Sequence, residues 1–208
     1  MISDIKHFKA TLILGPTGSG KTPLGNLLEK KGLNGRRCYH FDFGENLRAI
    51  VRAESADKKF TTEEIVFINK VLASGALLEN EHFYLARKIL DRFIARNRIG
   101  ADGLIVLNGL PRHIGQAKEI DLILDMRTVI HLACTPEAVL ARIRNNSGGD
   151  RLNRPDDDAK SVQNKISIFN QRTAELLEHY RSTGAKIATI AIAENTTPED
   201  ILKILHIH

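Results

Sequence analysis

Tryptophan is absent, and all aromatic residues together make up 5% of the 208 positions. That leaves little material for the stacked-ring platforms that hold single-stranded nucleic acids. Only two cysteines are present, Cys38 and Cys134, far apart and with no C-x-x-C pair. They exclude a zinc framework and a disulfide scaffold, and they suit a reducing compartment. The eight histidines include no H-E-x-x-H, and His206 and His208 stand only two apart at the end of the chain. No apolar run approaches the ~18 residues of a membrane-spanning helix. The segment Met1-Ile2-Ser3-Asp4-Ile5-Lys6 lacks the charged-then-apolar plan of a signal peptide. A cytoplasmic protein with no membrane partner is expected. The net charge is +5, but no block of like charges resembles a nucleic-acid-binding arm, so no nucleic-acid partner is expected. A dispersed basic surplus suits a protein that grips phosphates.

What is present is ordinary globular material. The apolar fraction is 42% and the charged fraction 26%, enough for one domain over residues 1–208 with its own core. Apolar runs at Phe8–Leu14, Cys38–Phe43, Leu104–Leu107, Thr128–Cys134 and Ile187–Ile192 read as strands. Helical periodicity covers Thr22–Lys31, Leu47–Glu54, Glu63–Leu72, Glu81–Asn97, Pro136–Arg144 and Ala159–Arg181. Thr135 and Thr197, each followed by proline, read as helix caps. Strands alternating with helices predict an α/β fold: a parallel sheet covered on both faces, in three layers. Two stretches break the rhythm. Residues 43–85 carry helices without a strand and read as a helical insertion. Residues 143–158 centre on the polar run Asn145–Asp158 and read as an exposed, mobile loop.

Gly15-Pro16-Thr17-Gly18-Ser19-Gly20-Lys21-Thr22 fits G-x-x-x-x-G-K-[ST] at every specified position, after a strand and before a helix. The glycines let backbone N–H groups converge on a phosphate, and the helix start adds positive partial charge. Lys21 reaches the β- and γ-phosphates, and the Thr22 hydroxyl is offered to magnesium. Nucleoside triphosphate binding follows from this loop; the acceptor does not.

Three further segments bear on the acceptor. Phe43-Gly44-Glu45-Asn46-Leu47-Arg48 follows the second strand. Asn108-Gly109-Leu110-Pro111-Arg112 ends the third, with Gln116 four residues on. Arg142, Arg144, Arg151 and Arg154 flank the polar loop ahead of Asp156-Asp157. Together with the glycine-rich loop these segments resemble the adenylate kinase family of nucleoside monophosphate kinases over nearly the whole chain, in its short-lid form. The family's T-G-D-x-L-R, D-G-F-P-R-x-x-x-Q and R-x-D-D segments correspond to residues 43–48, 108–116 and 154–157.

The resemblance implies a P-loop nucleotide-kinase fold with a nucleoside-monophosphate-binding insertion at 43–85 and a short lid at 143–158. It implies ATP and Mg2+ as cofactors and AMP as the acceptor, in a monomer. ATP falls to residues 15–22 (Gly15, Pro16, Thr17, Gly18, Ser19, Gly20, Lys21 and Thr22) and to Arg142, which would also lie against the adenine beside the loop at Ala193–Thr197. Lys21, Arg112, Arg142 and Arg154 would carry catalysis. Phe43, Gly44, Arg48, Leu78, Gly109, Arg112 and Gln116 would bind the monophosphate. Arg48 and Arg112 would hold its phosphate, Gln116 its base, and Gly75-Ala76-Leu77-Leu78 would line the pocket. Thr22 and Asn108 would face magnesium, through water at Asn108.

The chain departs from the family pattern at several places, among them Glu45, which replaces an aspartate. Asn108 replaces an aspartate behind the magnesium shell, Phe43 replaces a threonine, and Lys165 stands where a lid arginine is usual. Thr22-Pro23 replaces glycine–threonine. Asparagine keeps the shape of aspartate but not its charge, so weaker magnesium dependence is expected unless Asp42 or Glu45 lies close enough to compensate. Two alternatives stay open. One is a kinase of a small hydroxylated metabolite, with Asp42 as the base. The other is a nucleotide-binding sensor with weak turnover, for which Asn108 speaks.

Overall fold

A computed structural model describes residues 8–53, 59–74, 78, 80–149 and 159–207. Its framework is a five-stranded, wholly parallel sheet: β1 (Phe8–Leu14), β2 (Cys38–Asp42), β3 (Leu104–Asn108), β4 (Leu124–Ala133) and β5 (Lys186–Ala191), in spatial order β2-β3-β1-β4-β5. The strand carrying the glycine-rich loop is central, paired with β3 on one side and β4 on the other. The helices are α1 (Lys21–Lys31), α2 (Phe43–Ala53), α3 (Thr62–Ser74), α4 (Phe83–Asn97), α5 (Ile114–Asp121), α6 (Pro136–Arg144), α7 (Ala159–Ser182) and α8 (Pro198–Ile207).

Alternation along the strands divides the core between the two sheet faces. Ala10, Leu12 and Leu14 of β1, with Ile105 and Leu107 of β3, pack against α4, α5 and α7 through Leu85, Ile89, Ile120, Leu176 and Tyr180. Ile13, Leu104 and Val106 face the other way, onto Leu24 and Leu28 of α1 and Ile201 and Leu202 of α8. The result is the three-layer α/β arrangement that the alternating elements predict.

β4 begins four residues earlier than its apolar run. Its pairing with β1 steps from Met126 opposite Ala10 to Thr128 opposite Thr11, so Arg127 is an extra residue. Such a bulge inverts which parity faces which layer. Leu124 and Met126 share a core with Val129, across an odd spacing. The polar stretch Asp125–Thr128 therefore hides a strand start. Two other expectations are adjusted. Phe43 is the first residue of α2 and not the last of β2, and α4 starts at Phe83 after a 3-10 turn at Asn80–His82.

Candidate functional site

The loop after β1, the ends of β2 and β3, and the segment after β5 all lie at the carboxyl edge of the sheet, where open α/β sheets bind ligands. In the first loop Gly18 and Gly20 adopt φ of +76° and +96°. A Cβ at Gly20 would stand 3.1 Å from the Arg142 guanidinium, and one at Gly18 2.8 Å from Ile143. Both the backbone conformation and the close approach of α6 require glycine there. Lys21 Nζ donates to the carbonyls of Gly15 and Pro16 at 2.8 and 2.7 Å, so its ammonium arches over its own loop. Ser19 is fully buried beneath that loop, and Thr17 is half-buried.

Arg142 is 3% exposed. Its Nε donates to Gly18 O at 3.0 Å, and its Nη1 donates to the carbonyls of Ala193, Glu194 and Thr196 at 2.8, 2.8 and 3.0 Å. One buried guanidinium thus ties together the loop after β1, α6 and the loop after β5. These are the three parts that the resemblance assigns to ATP. Cys134 is half-buried beside them, between two core clusters, as its place in an apolar run suggests. Burial raises its thiol pKa against the opposing effect of Arg142 and Lys21.

A second cluster forms where α1 starts and β2 and β3 end. Thr22 Oγ1 donates to Asp42 Oδ2 at 2.8 Å. Asn108 Nδ2 donates to the same Oδ2 at 2.9 Å and to Thr22 Oγ1 at 3.0 Å. The other carboxylate oxygen of Asp42 accepts from Glu45 N at 2.9 Å. Register explains the meeting, since Asp42 is directly paired with Asn108 across β2 and β3. Behind them His40 is buried, with its Nε2 3.5 Å from Asn108 Nδ2 and its Nδ1 2.9 Å from Asn26 Oδ1. Desolvation lowers the His40 pKa, outweighing the opposite pull of Asp42 and Glu29. A neutral ring with its proton on Nδ1 satisfies both neighbours.

The residues that the resemblance assigns to the monophosphate lie on the outer half of the same edge. A Cβ at Gly44 would lie 3.4 Å from both Arg48 Nη1 and Asp42 Oδ1. Gly109, at φ +83°, has Phe43 and Arg112 as its neighbours, with Arg112 Nη2 3.8 Å from where a Cβ would stand. Arg112 is exposed, and its Nε donates to Gly109 O at 3.0 Å. Arg48 is half-exposed and held by Glu45 at 3.0 Å; Arg52 meets the same carboxylate. Phe43 is buried and packs near the Phe41 ring, in the core instead of at the surface.

Gln116 is also buried. Its Oε1 accepts from Arg112 N at 2.8 Å, and its Nε2 donates to Leu78 O at 2.6 Å. It therefore clamps the Arg112 turn to the Leu78 segment. Gly75, Ala76, Leu77, Arg151, Arg154, Asp156 and Asp157 lie outside the described residues. Arg144 is exposed at the end of α6, and Lys165 lies on α7.

His40 and Gly25 support the site without a motif to mark them: a Cβ at Gly25 would stand 2.2 Å from His40 Nε2. The one signal was a histidine inside an otherwise core-facing strand, Cys38-Tyr39-His40-Phe41.

No family model matches the chain. Among curated proteins it is similar to an adenylate kinase of Haloarcula marismortui, 26% identical over 216 residues that cover 91% of each chain. It is similar to an adenylate kinase of Helicobacter pylori, 27% identical over 177 residues and 82% of each chain. Adenylate kinase isoenzyme 5 of Bos taurus is 27% identical over 180 residues, 85% of this chain but 29% of that protein.

Proposed function

This chain is a relative of the adenylate kinase family, and on that premise we propose that it transfers the γ-phosphoryl group of ATP to a nucleoside monophosphate, with AMP as the acceptor. The observation that carries this reading is the placement of two sets of cationic side chains along one sheet edge. Lys21 and its loop lie at the end of β1, and Arg48 and Arg112 lie around the ends of β2 and β3. Phosphoryl transfer asks little covalent chemistry of a protein. It asks that donor and acceptor be held in line and that developing charge be compensated.

In this reading the 15–22 loop is a P-loop. Residues 43–85 form the monophosphate-binding insertion, 143–158 form a short lid, and Arg154 is a catalytic arginine of that lid. Lys21 compensates charge on the transferring group, and Arg48 and Arg112 fork onto the acceptor phosphate. Phe43, Gly44, Gly109 and Leu78 line the acceptor side. Gln116 shapes the base pocket by fixing Leu78 and Arg112. Arg142 holds the ATP side together through its four carbonyl partners. The reading places the protein in the cytoplasm as a monomer. Among the described residues no helix is long and apolar enough to cross a membrane.

Magnesium fits the donor set. Thr22 and Asp42 offer hard oxygens 2.8 Å apart beside the loop. Mg2+ keeps most of its waters and needs few protein ligands. When bound, the ion would neutralise charge on the β- and γ-phosphates.

Thr22, Asn108 and Glu45 N direct hydrogen bonds at the Asp42 oxygens and leave one acceptor position, on Oδ1. The kinase of a hydroxylated metabolite would need that position for its substrate hydroxyl. ADP formation from ATP, measured with AMP, CMP, GMP and UMP in turn and with none, tests the proposal. AMP is expected to give the highest kcat/KM. Equal rates with and without every monophosphate would refute a nucleotide acceptor.

A further inference from the structure

We propose that the carboxylate holding the magnesium hydration shell in this protein is Asp42, at the end of β2, and that Asn108 is the amide that positions it. The inference rests on the reading of the 15–22 loop as a triphosphate site. It goes beyond that reading by naming which of the chain's residues carries the negative charge and which cannot.

In a loop of this type the magnesium ion is held by the Ser or Thr after the lysine and by an aspartate at a neighbouring strand end. Two strand ends adjoin Thr22 here, β2 with Asp42 and β3 with Asn108. Only Asp42 brings charge. Its Oδ2 accepts the hydrogen bond of Thr22 Oγ1 at 2.8 Å, so the lone pairs of Thr22 Oγ1 face away from Asp42, and one of them accepts from Asn108. Asn108 is 4% exposed. Its Nδ2 has three acceptors around it: Asp42 Oδ2, Thr22 Oγ1 and His40 Nε2. A position ringed by acceptors calls for a donor. A carboxylate at 108 would stand at about the 2.9 Å separation of the present pair from the Asp42 carboxylate, with no proton between them. Two such groups cannot both ionise at that distance. The amide at 108 and the acid at 42 therefore specify each other. Of the two compensating carboxylates the sequence offers, Glu45 already has its charge balanced by the guanidinium groups of Arg48 and Arg52, whereas the partners of Asp42 are neutral.

The two strand ends are thus a matched pair in which acid and amide have defined places. Asp42 is a metal-side positioning residue acting on the ion's waters, and His40 Nε2, 3.5 Å behind, is the third neighbour that favours Nδ2 over Oδ1 at that corner of Asn108.

The test is equilibrium binding of ATP to purified full-length protein by titration calorimetry, with magnesium titrated from zero (EDTA) to saturation. It is run on wild type, Asp42→Asn, Asn108→Asp and the exchange Asp42→Asn/Asn108→Asp. Thermal melting of each checks the fold. Asp42→Asn is expected to bind magnesium-free ATP at least as tightly as wild type and to lose about 10- to 100-fold in apparent magnesium affinity. Asn108→Asp alone is expected to melt lower, because the donor between Asp42 and Thr22 is lost. The exchange is expected to recover the magnesium dependence lost in Asp42→Asn. Asp42→Ser, which keeps a partner for Thr22, is the second variant should Asp42→Asn not fold. An unchanged magnesium titration in Asp42→Asn, or in Asp42→Ser if that is the variant that folds, would overturn the assignment. So would an exchange variant no better than Asp42→Asn. Because no monophosphate is present, the outcome is separable from the acceptor reading. Magnesium dependence can follow Asp42 in a protein that phosphorylates no monophosphate, and a monophosphate kinase can prove indifferent to Asp42.

Discussion

The imidazole of His40 occupies the space that a Cβ on Gly25 would need, inside α1 and directly behind the strand ends that carry Asp42 and Asn108. Alanine in place of a mid-helix glycine usually stabilises by about 0.5–1 kcal/mol. Here the added methyl would collide with a buried ring that is hydrogen-bonded on both sides, and overpacking of this kind costs about 1–3 kcal/mol. The second effect wins. Gly25→Ala is expected to lower the melting temperature by several degrees, and Gly25→Ala/His40→Ser to recover most of the loss. A Gly25→Ala variant that melts above wild type would show that the ring can move aside without penalty.

Stability should fall as the solution is acidified through the histidine range. Burial lowers the pKa of both His40 and His131. On lowering the pH below about 6.5 the unfolded imidazoles bind protons before the folded ones do, so the folded state loses ground until the depressed folded values are passed. The midpoint of urea unfolding is expected to drop between pH 7.5 and pH 5. The drop should be smaller in His40→Asn, which retains a polar partner for Asn108.

Arg142 should behave as a structural clasp as well as an ATP-side residue. Its removal strips a charged donor from four carbonyls, three of them in the loop after β5. Arg142→Ala is expected to cost about 1.5–3 kcal/mol of stability, since the hydrogen bonds of a buried charged group are lost. Arg142→Lys should not restore it, because an ammonium cannot reproduce the guanidinium fork. Melting and ATP titration on the same samples check both effects, and both should decline together.

Arg112 is exposed and linked to Gly109 by one hydrogen bond, so its loss should spare the fold. A charge-assisted phosphate contact is worth roughly 1.5–3 kcal/mol. Arg112→Ala is therefore expected to raise the KM for the monophosphate about 10- to 100-fold while changing the KM for ATP much less. Equal rises for the two substrates would move Arg112 to a position shared between them.

Much of this architecture is legible in the chain because its signals are local. The glycine-rich loop, the two-face-buried strands and the Thr135-Pro136 and Thr197-Pro198 starts each declare themselves within a few residues. Thr135 Oγ1 accepts from Ala138 N, and Thr197 Oγ1 accepts from Asp200 N. What escapes reading depends on distant partners. α5 opens on His113, an unusual cap whose Nδ1 accepts from Gln116 N at 3.4 Å, and its short apolar face shows no clear period. The start of β4 is disguised by the extra residue at Arg127. Asn108 reads in sequence as a lost charge. Only the register of β2 against β3 places Asp42 beside it. Gln116 reads as a base-binding amide, and its bond to Leu78 crosses 38 residues of chain.

The transfer itself is the most direct test of the account. ATP labelled at the γ-phosphorus is incubated with the protein, magnesium and unlabelled AMP, and the products are separated. The account predicts label in ADP, at the β-position, with little inorganic phosphate and almost no transfer in Lys21→Ala. Label released only as inorganic phosphate, or retained in ATP with every monophosphate supplied, would contradict it.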